Sequence, residues 1–192
     1  VADRDCGATF IANSTLTGFG YDYTGVEGNT QIYRCSWIIS ASSDTRFVDM
    51  RTNSLNVPGS SDERCAEGYV EYRDVGLSSQ YGQVLRYCNA GGITVPPEFF
   101  SLSETMSITL RNARNQNSSF SAQFQDADCS RSYTALNGRI FSAGWPNHYA
   151  PYLNCNIRIQ VPEGNKIQLY FNEFDVEPAE DCNMDNCDHL DV

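Results

Sequence analysis

Eight cysteines occur in the 192 residues, and their spacing repeats. Cys6 and Cys129 are 123 positions apart, and Cys35 and Cys155 are 120 apart. The neighbourhood of the second pair repeats as well, Cys35-Ser-Trp-Ile-Ile standing against Cys155-Asn-Ile-Arg-Ile. A shared offset of this size marks tandem units. The second restarts at Cys129, after the short polar joint Asp126-Ala-Asp128. An even number of cysteines, with no Cys-x-x-Cys pair and only two histidines, favours disulfides in an oxidising compartment over thiolate-bound zinc. Two glycosylation acceptors, Asn13-Ser-Thr and Asn117-Ser-Ser, point the same way.

The stretches between the cysteines read as strands. Cys35, Trp37 and Ile39 alternate on one face. So do Met106, Ile108 and Leu110, and then Phe120, Ala122 and Phe124. Phe47 to Met50, Tyr69 to Tyr72 and Gln83 to Tyr87 suggest further strands. The glycine-rich stretch from Gly18 to Gly28 reads as turns, and residues 52–64 read as loop. In the second unit Ile167, Leu169 and Phe171 alternate, Phe174 and Val176 begin another alternation, and His189 to Val192 closes as a short strand. No amphipathic helix of three turns is present. Many short strands separated by turn signals predict an all-β sandwich.

Hydrophobic residues make up 41% of the chain, enough for a packed core. No run of 18 apolar residues is available to span a membrane as a helix. The opening Val1-Ala-Asp-Arg-Asp is not a signal peptide, so on this reading a leader has been removed or the segment is internal. The net charge of −11 disfavours nucleic acid and anionic membrane surfaces. That charge is local. Residues 172–192 hold eight of the 24 acidic side chains and no Lys or Arg, and without them the balance is −3. Because an apolar alternation runs through the same residues, they read as an ordered site rather than a solvated tail.

The acidic stretch also carries a pattern. Phe171, Phe174, Val176, Glu177, Cys182, Asp188, Leu190 and Val192 resemble the CUB domain signature Phe-x-x-Phe-x-Leu-Glu, cysteine, Asp-x-Leu-x-Ile/Val. Phe141-Ser-Ala-Gly-Trp-Pro-Asn-His-Tyr ahead of Cys155 resembles the family's Ser-Pro-x-Tyr-Pro-x-x-Tyr segment, whereas Gly20-Tyr-Asp-Tyr-Thr-Gly in the first unit departs from it. The resemblance implies two tandem antiparallel β-sandwiches of the CUB jelly-roll type. Residues 1–126 would be the first, and residues 127–192 the N-terminal part of a second that is truncated here. It further implies the disulfides Cys6–Cys35, Cys65–Cys88 and Cys129–Cys155. Each would close a loop of 20–30 residues, for a stabilisation of about 3 kcal/mol in the chain-entropy model. Cys182 and Cys187 remain open, free to pair with each other or with a cysteine downstream.

Calcium needs six to eight oxygen ligands, so several carboxylates must converge. By resemblance, Glu177 and Asp188 occupy ligand positions in the second unit, and a third aspartate would lie beyond Val192. The separation of Glu177 from Asp188 exceeds the family's usual spacing by three, which makes Asp185 a rival to Asp188. Asp181-Cys-Asn-Met-Asp185 also looks like the start of an EF-hand loop, but Val192 stands where the closing Glu should be. The first unit has Pro58, Gly68 and Asn112-Ala113 at the corresponding positions, so no calcium is expected there. Neither a Gly-x-Ser-x-Gly elbow nor a His-Glu-x-x-His helix occurs. His148 and His189 read as surface or strand-edge histidines, and no enzyme is expected. The resemblance implies a secreted module that binds an extracellular protein ligand with calcium, gripping a basic side chain of the partner. Two alternatives are the non-catalytic CUB region of a secreted protease and a structural subunit of an extracellular assembly. A second polypeptide or a downstream segment would complete the second unit.

Overall fold

The computed structural model describes residues 6–25, 32–58, 65–75, 84–89, 98–112, 116–146, 148–149, 153–176 and 187–192. Among the described residues the first unit has nine strands: β1 (Ala8–Ile11), β2 (Thr17–Tyr23), β3 (Arg34–Ser40), β4 (Phe47–Asn56), β5 (Tyr69–Asp74), β6 (Val84–Tyr87), β7 (Phe99–Phe100), β8 (Thr105–Arg111) and β9 (Ser118–Ala127). They form a five-stranded sheet, β1-β3-β8-β5-β6, and a four-stranded sheet, β2-β9-β4-β7. The pairing is antiparallel except that β1 runs parallel to β3.

Period-two alternation decides which face of each strand turns inward. From the first sheet Cys35, Trp37 and Ile39 meet Met106, Ile108, Leu110, Val70 and Tyr72. From the second come Val48, Met50, Phe120, Ala122 and Phe124, and together they form one buried cluster. The sheets also meet through polar groups: Tyr72 Oη and Thr52 Oγ1 share a buried 2.7 Å hydrogen bond, so the phenol enters the core satisfied. Phe99 stacks on the same ring at 4.3 Å between centroids. The disulfide Cys6–Cys35 ties the chain ahead of β1 to β3, and Cys65–Cys88 ties the chain ahead of β5 to the residue after β6.

Three expectations need correction. Gly18 and Gly20 lie in strand β2, not in turns: Phe19 and Tyr21 face inward between them, and the glycines occupy the outer face. β4 reaches Asn56, into the stretch read as loop. The stretches 167–171, 174–176 and 189–192 carry the strand periodicity but belong to no sheet among the described residues. A strand exists only through its ladder, and these stretches have no ladder partner there.

In the second unit, β10 (Arg131–Tyr133) pairs with β11 (Ile157–Ile159). This small sheet reproduces β1 and β3 in register as well as direction. Ala8 lies opposite Trp37, and Arg131 lies opposite Ile157. Cys129–Cys155 stands where Cys6–Cys35 stands in the first unit. The repeated cysteine spacing is thus a repeated supersecondary unit.

Candidate functional site

The acidic end of the second unit is built from two segments far apart in sequence. Cys187 is half-buried and disulfide-bonded, its partner lying outside the described residues. Asp188 follows it, exposed. Tyr149, from the Trp-Pro-Asn-His-Tyr stretch, donates a 2.6 Å hydrogen bond from its hydroxyl to Asp188 Oδ2. That bond fixes the carboxylate's orientation and occupies one lone pair of one oxygen. His189 turns back on the chain, with Nδ1 2.8 Å from the Cys187 carbonyl and Nε2 3.4 Å from Asp191 Oδ2. The hydrogen bond to that carbonyl, with the Asp191 charge, raises the imidazole above its ordinary value.

Of the three residues expected to hold calcium, Asp188 is placed here, while Glu177 and Asp185 lie outside the described residues. Cys182 lies outside them as well. Asp188 is an exposed carboxylate anchored by a phenol on one oxygen, the donor type that a hard cation takes. Among the described residues no three His, Cys, Asp or Glu side chains form a metal-sized group. Tyr149 is the site residue that the sequence reading did not assign. The signal was available in the tyrosine that closes the Trp-Pro-x-x-Tyr segment, but nothing in one-dimensional spacing joins it to a residue 39 positions away.

The corresponding positions of the first unit have different chemistry. Pro58 and Gly68 carry no side-chain oxygen. Asn112 is buried, and its Oδ1 accepts the Tyr33 N–H at 2.6 Å, so that oxygen is already committed to the backbone. The other histidine, His148, is exposed.

A cleft of about 380 Å³ lies where the units meet, with Arg46, Asp49, Arg51, Asp126, Arg131 and Tyr133 among its walls. Its charges largely answer one another. Arg46 pairs with Asp126, Arg51 lies between Asp49 and Glu98, and Arg131 reaches Asp49. Burial pushes the Asp126 carboxyl up, but the Ser42 N–H and hydroxyl and the Arg46 guanidinium overcome that and hold it below its ordinary value.

The CUB domain profile matches residues 6–124 and 129–191. The chain belongs to the CUB domain family. Cubilin from Rattus norvegicus is 28% identical over 191 residues, covering 95% of this chain and 5% of that protein. Neuropilin-1a from Danio rerio is 28% identical over 149 residues, covering 76% of this chain and 16% of its own length. The chain therefore spans a small part of the curated relatives it matches. Among solved structures, the MASP-1 CUB2 domain bound to Ca2+ is 11% identical with a TM-score of 0.46, covering 62% of this chain and 99% of that one.

Proposed function

We propose that this chain is part of an extracellular binding protein built of tandem CUB domains, residues 1–126 and a second domain beginning at 127. On this reading the second domain recognises a protein ligand through a calcium-ordered acidic loop. The observation that carries it is Asp188, held by Tyr149, with Glu177 at the other ligand position by resemblance and Asp185 as the rival to Asp188. Calcium would be held by these carboxylates and would supply the positive charge that lets them converge. Their remaining oxygens would then take a lysine or arginine of the partner by charge-assisted hydrogen bonds. The first domain, with Pro58, Gly68 and a committed Asn112, would bind no calcium. Nothing in this reading calls for catalysis.

The second domain is completed by further strands, from a downstream segment or a second polypeptide. The internal repeat supports this. In the first unit β3 is flanked by both β1 and β8, whereas β11 pairs with β10 alone among the described residues. Val48 and Leu55 are buried in the first unit; Ile167 and Phe174, 119 positions on, are 49% and 60% exposed. Such a half-sandwich leaves apolar surface and backbone groups uncovered.

Asn13 and Asn117 are both exposed and would carry N-glycans, in keeping with secretion. Their side-chain oxygens accept the Thr15 and Gly25 N–H groups at 2.7 and 2.9 Å.

The test is surface plasmon resonance of the natural protein against an extracellular ligand captured in calcium. The expected result is loss of binding in EGTA, in Asp188→Asn and on competition with a lysine-rich peptide. Binding indifferent to all three would refute the calcium-dependent reading.

A further inference from the structure

We propose that the two units are locked into one rigid body by a joint that calcium does not control. Neighbouring domains on a flexible linker move relative to each other by default. Here almost no linker is available. β9 runs to Ala127, and the second unit's first disulfide begins at Cys129, so Asp128 alone separates them.

The second unit also closes an open sheet edge. β7 is the last strand of the four-stranded sheet and would otherwise expose its backbone groups. The Gly144 N–H donates to the Phe100 carbonyl at 2.8 Å, and the Phe100 N–H donates to the Trp145 carbonyl at 3.3 Å. A turn of the second unit thus satisfies the outward backbone groups of Phe100. Gly144 is required for the approach. Its φ is +94°, and a Cβ there would collide with the Leu102 side chain and the His148 carbonyl.

Side chains lock what the backbone aligns. The Arg131 guanidinium lies 3.8 Å above the Phe100 ring. It also reaches Asp49 Oδ2 at 3.9 Å, and its Nε donates to the Asp128 carbonyl at 3.1 Å. One side chain of the second unit thus grips a ring and a carboxylate of the first. Asp49 is nearly buried and is braced by Gln125, whose Nε2 donates to it at 2.8 Å. Beneath this, Phe100, Ala127 and Ala143 form a buried apolar cluster shared by the two units. An arginine suits the position because its planar cation stacks and pairs at once. The consequence is directional: the first unit sets where the acidic end of the second one points.

The test is amide hydrogen exchange, read by NMR on the intact natural protein. The Phe100 and Gly144 amides report the joint itself. They are expected to exchange about a hundredfold more slowly than a free loop amide, with or without EGTA. Arg131→Ala should speed both by about tenfold, the scale of a partly buried cation–π contact, while the β3 and β8 amides stay unchanged. If Arg131→Ala loosens the core as well, Arg131→Lys decides: it keeps the charge, loses the planar stack, and should speed the two joint amides alone. Loop-rate exchange at Phe100 and Gly144 in the wild type would overturn the proposal. So would collapse of their protection in EGTA, or indifference of these amides to both substitutions.

Discussion

The Tyr149 hydroxyl holds Asp188 Oδ2 at 2.6 Å, joining the turn before Cys155 to the start of the final segment. A metal-ligating carboxylate is oriented by such partners, and their loss weakens the site without removing a ligand. Tyr149→Phe deletes one hydrogen bond to a charged group, worth about 1.5–3 kcal/mol. Calcium affinity of the complete second domain should fall by about tenfold or more, read by calorimetry. An unchanged affinity would mean that Tyr149 does not position the ligand.

Trp37 is 2% exposed and packs against Phe19 and Phe120 at the centre of the first unit. Trp37→Ala removes one of the largest buried side chains and should cost about 3–5 kcal/mol. Denaturant unfolding of the wild type and the variant measures it. A cost below about 1 kcal/mol would place the tryptophan outside the load-carrying core.

Asp126 predicts a pH dependence. Its folded carboxyl titrates below the ordinary aspartate value because Ser42 and Arg46 favour the charged form despite burial. A depressed folded value means that the stabilisation is present above the unfolded value, about 3.9, and is lost as pH falls through the folded one. Asp74 acts in the opposite sense. Burial raises it, against the hydrogen bonds from Leu102 and Ser103, so protonation relieves it on acidification. Asp126→Asn should therefore destabilise at neutral pH and flatten the acid limb of a melting-temperature profile. A limb as steep as that of the wild type would contradict this assignment.

Much of the fold is legible in the sequence because its cause is local. Cys35, Trp37 and Ile39 fall on one face as alternation requires, and the cysteine offset marks a repeat that β10 and β11 reproduce in register. β1 is not legible, because Ala8 to Ile11 is too short to show a period, and its parallel pairing with β3 is a tertiary fact. β2 reads as turns because Gly18 and Gly20 signal them, although Phe19 and Tyr21 carry a strand's alternation.

One irregularity was readable in principle. β4 shifts register between Thr52 and Ser54, so Thr52 and Leu55, three residues apart, both turn inward. Phe171 and Phe174 have the same spacing 119 positions on, and their rings meet at 5.3 Å. The break in alternation in the second unit thus repeats, in sequence, the spacing of the β4 bulge. The joint had no such trace. Arg131 over Phe100 and Gly144 against Leu102 bring together residues whose types in isolation suggest only a surface arginine and a turn glycine.

Calcium binding is proposed for the second unit and not for the first. Calorimetric titration of calcium into the protein carrying a complete second domain tests it most directly, with Glu177→Ala and Asp188→Asn beside the wild type. One site per pair of units is expected, strongly weakened by either substitution, with no heat from residues 1–126 alone. A site in the first unit, or a second-unit affinity untouched by both substitutions, would contradict it.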